Sequence, residues 1–100
     1  MEQVIFHPAA EAELRDAVDF YEECRTRLGE EFLTAVETVL ELARLHPESG
    51  RLLREPFRRF LVTRFPYGII YSQTRDTLHV IAIMHLKREP GYWLDRIGEV

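Results

Sequence analysis

Cysteine and lysine are nearly absent from this sequence, with Cys24 and Lys87 the only examples among 100 residues. A single cysteine excludes a disulfide within the chain, which fits a reducing compartment, so the sequence predicts a cytoplasmic protein. Cys24 falls within a helical pattern, and we expect it to be a small buried hydrophobe rather than a reactive thiol.

Long apolar runs are lacking as well. No stretch approaches the ~18 to 20 apolar residues that a membrane span requires. The first residues, MEQVIFHPAAEAEL, have neither the basic start nor the apolar core of a secretory signal. A hydrophobic fraction of 46% and a charged fraction of 30% are instead typical of globular proteins. A chain of this length suffices for one core, so we expect residues 1–100 to form a single domain.

Charge is unevenly divided along the chain. The formal net charge is −4, but residues 1–50 carry 4 cationic and 12 acidic side chains, and residues 51–100 carry 9 and 5. The net negative charge is unfavourable for a general nucleic-acid binder. Arginine supplies every cation except Lys87, and its planar fork suits carboxylates and phosphates. Five arginines lie within fourteen positions, and an anionic partner explains such a cluster better than solvation alone does. They are Arg51, Arg54, Arg58, Arg59 and Arg64.

The first half of the chain predicts a strand and two amphipathic helices. The segment QVIF (3–6) is strand-like and ends at His7, and Pro8 suits the first position of a helix. Two apolar stripes at helical spacing follow, separated by Gly29, which we expect to permit a turn between two antiparallel helices. The second helix should close at Leu45 and His46, because Pro47 disfavours helical conformation in the residue before it. The stripes are Leu14, Ala17, Val18 and Tyr21, then Phe32, Val36, Val39, Leu40 and Ala43.

An antiparallel sheet is predicted to cover this helical hairpin. The segments 58–65, 67–72 and 77–86 are strand-like, with a turn at 73–76. The last segment is apolar on both faces and should be internal, and Phe65 and Tyr67 should lie in the core. The order β-α-α-β-β-β describes an α+β domain of two layers, a helical hairpin packed on an antiparallel sheet. The sequence leaves open which strand pairs with 3–6.

The run HVIAIMHLKREPGYWLDR (79–96) joins a buried strand to cationic side chains. His85 and Lys87 are two residues apart and should share a face of the strand. His79 should share that face, about 20 Å away at roughly 3.3 Å per residue. No second histidine, cysteine or acid stands at ligand spacing and no phosphate-binding loop is present, so neither a metal nor a cofactor is predicted. Tyr92 and Trp93 are expected to pack in the core.

Cleavage of RNA without a metal is one chemistry that these residues permit. It requires a base for the 2′-hydroxyl, an acid for the leaving oxygen and cations for the charged phosphorane. His85 is the natural acid or base near neutral pH, and Arg64 and Arg59 are candidates for holding the phosphate. The secondary candidates are Lys87 for the phosphate and Tyr71 or Glu55 as second proton carrier, with Tyr71 presenting its hydroxyl from a sheet edge. The structural alternative is that His85 caps the sheet by hydrogen bonding to a backbone carbonyl.

The segments RRFLVTRFPYGIIY and VIAIMHLKREPGYWLDR, one hairpin apart, resemble the ParE branch of the RelE/ParE superfamily of bacterial toxins. The predicted order of elements matches that fold, so the resemblance covers nearly the whole chain. It implies a plasmid-stabilization toxin of a type II toxin–antitoxin module, neutralised by a cognate antitoxin within a hetero-oligomer. In this family the antitoxin lays a helical or extended segment along the toxin. The residues expected to contact a partner are Arg51, Arg54, Arg58, Lys87 and Arg88.

The resemblance implies two modes of action. ParE-like members poison DNA gyrase and are not nucleases, whereas RelE-like members cut mRNA in the ribosome. Three features favour the gyrase mode: the chain is acidic, it has a single lysine, and it carries Ser72. At the position of Ser72, after the tyrosine, nucleases of the superfamily often carry an arginine. Arg59, Arg64 and His85 fall roughly where catalytic side chains lie in some nucleases, so a ribosome-dependent mRNA endonuclease is the alternative. An inactive relative with only a regulatory, antitoxin-binding role is the second alternative.

Overall fold

The computed structural model of the chain describes residues 3–99. In chain order its elements are β1 (Gln3–Phe6), α1 (Pro8–Cys24), α2 (Leu28–Leu45), β2 (Arg51–Arg54), β3 (Phe57–Leu61), β4 (Tyr67–Thr74) and β5 (Thr77–His85). Two 3-10 helices occur, one after α2 at Pro47–Ser49 and one at Leu94–Glu99. No helix within residues 3–99 is both long and apolar enough to cross a membrane.

The two helices begin and end where local chemistry dictates. α1 begins at Pro8 and α2 ends at Leu45, both as predicted. In the turn between them Arg27 adopts a left-handed conformation, with φ of 75°. The carboxylate of Glu22 accepts hydrogen bonds from the N–H groups of Arg27 and Gly29, at 3.0 and 3.1 Å. The prediction that Gly29 makes this turn is therefore wrong, because Gly29 lies inside α2.

The five strands form one sheet in the order β1-β5-β4-β3-β2. β1 pairs with β5 in parallel, and the remaining pairs are antiparallel. The α+β class is confirmed, but the sheet is mixed, and four strands rather than three follow the helices. The additional strand, β2, lacks the alternation of buried and exposed residues that identifies a strand, because all four of its residues are exposed.

Strand lengths also differ from the prediction. The strand expected over 58–65 ends at Leu61, and a turn follows in which Arg64 has a φ of 76°. The strand expected over 67–72 continues to Thr74, so the turn before β5 contains only Arg75 and Asp76. β5 ends at His85 rather than at residue 86.

A bulge in β5 decides which side chains share a face of the sheet. Ile70 pairs with Ala82 and Tyr71 with Val80, so Ile81 has no partner on β4. An extra residue of this kind exchanges the two faces of the strand beyond it. His79 pairs with Ser72 and His85 with Tyr67, which lie on opposite faces. The prediction that His79 and His85 share a face is wrong for that reason. Lys87 lies beyond the end of β5, so its predicted place on a strand face beside His85 is also wrong.

The core occupies both sides of the sheet. On one side the helices pack against it through Ala10, Ala17, Phe32, Val36, Val39, Val62, Phe65, Ile69, Val80 and Ile83, with Tyr67 partly buried among them. On the other side, here called the open face, the chain after β5 covers Ile70, Ala82 and Met84 with Trp93. Trp93 is only 2% exposed, which confirms its prediction as core. Cys24 is exposed at the end of α1, so its predicted burial is wrong.

Candidate functional site

His85 ends β5 on the side of the sheet that the helices cover. Its ring packs edge-on against Tyr67, with centroids 5.0 Å apart, and its Nδ1 accepts the N–H of Lys87 at 3.1 Å. It lines a half-open cleft of about 220 Å³ together with Asp16 and Arg88. One ring nitrogen of the imidazole therefore accepts a hydrogen bond from a backbone N–H. The structural alternative given above, in which His85 donates to a backbone carbonyl, is not the bond seen at this nitrogen.

Arg59 lies on the open face. It pairs with Ile70 across β3 and β4. Its aliphatic stem crosses Gly68, where a Cβ atom would lie 2.9 Å from the Cδ of Arg59. Only glycine leaves room for the arginine to lie flat on the sheet in this way. The Nε of Arg59 is buried and has no hydrogen-bond partner.

Arg64 belongs to the turn between β3 and β4 and points to the helices. Its guanidinium donates to the carboxylate of Glu31 on α2 at 3.0 Å, and Arg25 approaches the same carboxylate at 3.3 Å. Hydrogen bonds from Arg64 and Arg25 lower the pKa of Glu31. Arg64 thus ties the sheet to the helical hairpin through an exposed ion pair.

The secondary candidates for catalysis are dispersed too. Tyr71 is 1% exposed on the central strand; its hydroxyl donates to the carbonyl of Pro47 at 2.6 Å and accepts the N–H of Gly50 at 3.2 Å. Burial raises the pKa of Tyr71. The expectation that Tyr71 presents its hydroxyl from a sheet edge is therefore wrong. Glu55 is exposed in the turn between β2 and β3, and Lys87 is exposed after β5.

The five arginines and lysines expected to contact a partner fall into three groups. Arg51 and Arg54 lie on β2, the edge strand next to Arg59. Arg58 lies on the opposite face and donates to the carbonyl of Gly50 at 2.8 Å, so it holds the chain between α2 and β2. Lys87 and Arg88 follow β5, and the Arg88 guanidinium stacks on the ring of Tyr92, 3.9 Å from its centroid.

A partly buried polar cluster was not predicted from the sequence at all. Glu13 on α1 accepts two hydrogen bonds from Arg96, at 2.9 and 2.7 Å, and one from the hydroxyl of Tyr92 at 2.7 Å. It also accepts the N–H of Ile83 at 3.0 Å, while Arg96 donates to the carbonyl of Ile81 in the bulge at 2.9 Å. Glu13 and Arg96 are 83 positions apart, so no local pattern links them.

Comparison with known proteins places this architecture in a family. The family profile described as ParE toxin of type II toxin-antitoxin system, parDE, matches residues 4–90. The chain belongs to the ParE toxin family. The resemblance seen in the sequence is thereby confirmed, and the match spans every element from β1 to the turn after β5.

The fold of this ParE family member is also found among solved structures, of which we describe one. It is the chromosomal ParDE TA system from P. aeruginosa, which is 19% identical, with a TM-score of 0.62. The similarity covers 87% of this chain and 98% of that one. At this level of identity the likeness establishes the fold alone. No curated protein matches the chain.

Proposed function

We propose that this ParE family member inhibits growth by binding and poisoning DNA gyrase, and that a cognate antitoxin neutralises it. The observation that carries the proposal is the separation of the residues that a nuclease would have to bring together. RNA cleavage requires an acid, a base and cations within hydrogen-bond reach of a single phosphate. His85 lies on the helix-covered face, and Arg59 lies on the open face. The sheet therefore stands between the candidate imidazole and one of its candidate phosphate ligands.

The remaining candidates support the same conclusion. Arg64 is committed to Glu31, and Tyr71 is buried with its hydroxyl engaged twice. A toxin that acts by binding a protein requires no such convergence; it requires exposed contact surfaces. Lys87 and Arg88, in the exposed chain after β5, are our candidates for contacts with the target.

The ribonuclease alternative retains one supporting observation. His85 and Arg88 line the same cleft, which places an imidazole and a guanidinium together. An mRNA endonuclease built on this pair would depend on His85 for proton transfer. Substitution of His85 therefore separates the two functions.

The test is pulse labelling of DNA and protein synthesis immediately after tightly controlled induction of the chain in a bacterial host. Wild type, His85→Ala and the control His79→Ala are compared, since His79 lies on the other face of β5. We expect DNA synthesis to fall first, with a DNA-damage response, and all three proteins to be toxic. Early loss of protein synthesis that His85→Ala abolishes and His79→Ala does not would establish the nuclease instead. If neither DNA synthesis nor protein synthesis changed, the second alternative, an inactive relative with only a regulatory role, would be favoured.

The proposed target and antitoxin are tested in purified form. Gyrase incubated with the chain should accumulate cleaved DNA, and the protein encoded by the neighbouring reading frame should suppress this cleavage and co-purify with the chain. Gyrase that supercoils normally in the presence of excess toxin would contradict the proposed target. Failure of the neighbouring product to bind would contradict only the proposed antitoxin.

A further inference from the structure

We infer that the cleft on the open face, between β2 and the chain after β5, binds an acidic segment of a protein partner, with Arg59 holding a carboxylate at its centre. The cleft has a volume of about 280 Å³. Its walls are largely apolar, formed by Leu53, Met84, Trp93 and Leu94, and Arg54 and Arg59 supply its charge. The inference deepens the proposed function, because the antitoxin is the partner it concerns.

Three arginines converge on this face because of a bulge in β2. Arg51 pairs with Arg59, and Arg54 pairs with Phe57, whose ring packs on Trp93 at 5.4 Å. Paired residues on adjacent strands share a face, so Arg51 and Arg54 lie on the open face although they are three positions apart. A regular strand would send them to opposite faces; the irregularity between Leu52 and Arg54 brings them together.

The arginines lack the partners that neutralise other cations of the chain. The described carboxylates pair with Arg15, Arg25, Arg44, Arg64 and Arg96. Arg51, Arg54 and Arg59 have no carboxylate partner within residues 3–99, and Arg51 stands directly opposite Arg59. Like charges at directly opposed positions destabilise a sheet. A bound anion that contacts the guanidinium of Arg59 from the cleft removes that repulsion.

The chemistry of the cleft selects an acidic protein segment over other occupants. Charged arginines along the β2 edge oppose pairing with a second copy of the same edge, but they attract an edge or segment of opposite charge. A nucleic acid would meet the repulsion of a chain whose net charge is −4. The apolar walls beside Arg59 accommodate an aliphatic neighbour of the carboxylate, which a phosphate backbone does not provide.

The experiment uses the full-length chain, labelled with 15N, and three probes. They are a short blocked peptide in which glutamate alternates with valine, the matched peptide with glutamine, and inorganic phosphate. Binding is followed by the Nε–H signal of Arg59 and the indole N–H signal of Trp93, which is unambiguous because the chain has one tryptophan. Wild type is compared with Arg59→Gln, and with Arg75→Gln as a control of equal charge change in the exposed turn before β5.

We expect the glutamate peptide to shift both signals and to bind at least about tenfold more tightly than the glutamine peptide, as a charge-assisted hydrogen bond implies. Arg59→Gln should remove this preference, and Arg75→Gln should preserve it. If Arg59→Gln does not fold, Arg54→Gln, at an exposed position, should reduce the preference in its place. Equal binding of the two peptides, absence of binding, or equal loss in Arg75→Gln would overturn the inference. Phosphate shifting the Arg59 signal as strongly as the glutamate peptide would overturn it too and indicate a phosphate site.

Failure of this inference is distinguishable from failure of the proposed function. The peptide measurements report on the cleft alone, whereas toxicity and co-purification report on gyrase and the antitoxin. If the antitoxin neutralised wild type and Arg59→Gln equally well, the proposed function would stand, but the cleft would have no part in antitoxin binding.

Discussion

Gly29 of α2 lies directly against the backbone of Val18 on α1: a Cβ atom at Gly29 would stand 2.6 Å from the carbonyl oxygen of Val18. Contacts under 3.0 Å essentially never occur for real Cβ atoms. Glu22 also folds over this position and accepts the N–H of Gly29 at 3.1 Å. The first turn of α2 can approach α1 this closely only because residue 29 has no side chain.

Gly29→Ala should therefore lower the free energy of unfolding by about 1–3 kcal/mol, because the backbone of α1 must move to admit the methyl group. Helix propensity alone predicts the opposite sign, a gain of roughly 0.5–1 kcal/mol. Urea unfolding of the variant decides between the two. Gly98→Ala is the matched control, since a Cβ there meets no atom within 4 Å; its effect should stay within about 0.5 kcal/mol. If Gly29→Ala were more stable than wild type, the close contact between Gly29 and the backbone of Val18 would be contradicted.

Glu13→Gln should destabilise the fold by about 2–3 kcal/mol, because the guanidinium of Arg96 would lose its counter-charge while largely buried. The side chains of Glu13 and Arg96 are only 18% and 13% exposed. The exposed pair between Glu11 and Arg15, with side chains 67% and 68% exposed, provides the control. Glu11→Gln should change stability by no more than about 0.5 kcal/mol. Equal effects of the two substitutions, measured by chemical denaturation, would exclude the buried pair as a structural anchor.

Glu13 should also make stability depend on pH. Burial raises the pKa of Glu13, but hydrogen bonds from Arg96, Tyr92 and the N–H of Ile83 together lower it below its ordinary value of 4.5. Because the folded pKa is the lower one, the carboxylate stabilises the fold fully above pH 4.5 and loses this effect as the pH falls through the folded pKa. Thermal unfolding followed across this acid range should show a shallower slope for Glu13→Gln than for wild type. Parallel curves would contradict the lowered pKa.

Trp93→Ala should cost about 3–5 kcal/mol, because it leaves a cavity over the open face where Trp93 packs on Phe57. The substitution also removes the hydrogen bond that the indole N–H donates to the carbonyl of Pro90 at 2.9 Å. Phe20→Ala, at an aromatic that is 57% exposed, is the matched control and should cost less than about 1 kcal/mol. A loss below about 1 kcal/mol for Trp93→Ala in urea titrations would mean that the tryptophan is not part of the core.

Periodicity was sufficient to predict the two helices and the strands β4 and β5, because each of them buries one or both faces over several turns or residues. It failed for β2, where all four residues are exposed and the strand is defined only by its hydrogen bonds to β3. It also failed in β5, where the unpaired Ile81 exchanges the faces and no residue type announces the change. Bulges depend on the register of a neighbouring strand, which is a property of the assembled sheet.

The sequence supplied candidate residues for a site, but it did not predict how those residues are arranged. The density of arginines after position 50 predicts a basic, partner-binding region, and this stays a prediction. Its division between two faces follows from pairing: Arg58 opposes Tyr71 and Arg59 opposes Ile70, so neighbours in sequence point in opposite directions. Gly68 was the available signal for Arg59, since a glycine in a strand often marks close approach by another group.

The sequence by itself determined the two helices, the apolar strands that they cover and the membership of the chain in the ParE family, because these depend on patterns within each segment. Tertiary structure alone decided which charges meet. Glu13 pairs with Arg96 near the other end of the chain, and Arg64 pairs with Glu31. The buried Nε of Arg59 has no hydrogen-bond partner among the described residues. Charges interact over a few ångströms of space, and positions along the chain do not specify that distance until the sheet is paired and the helices are packed on it.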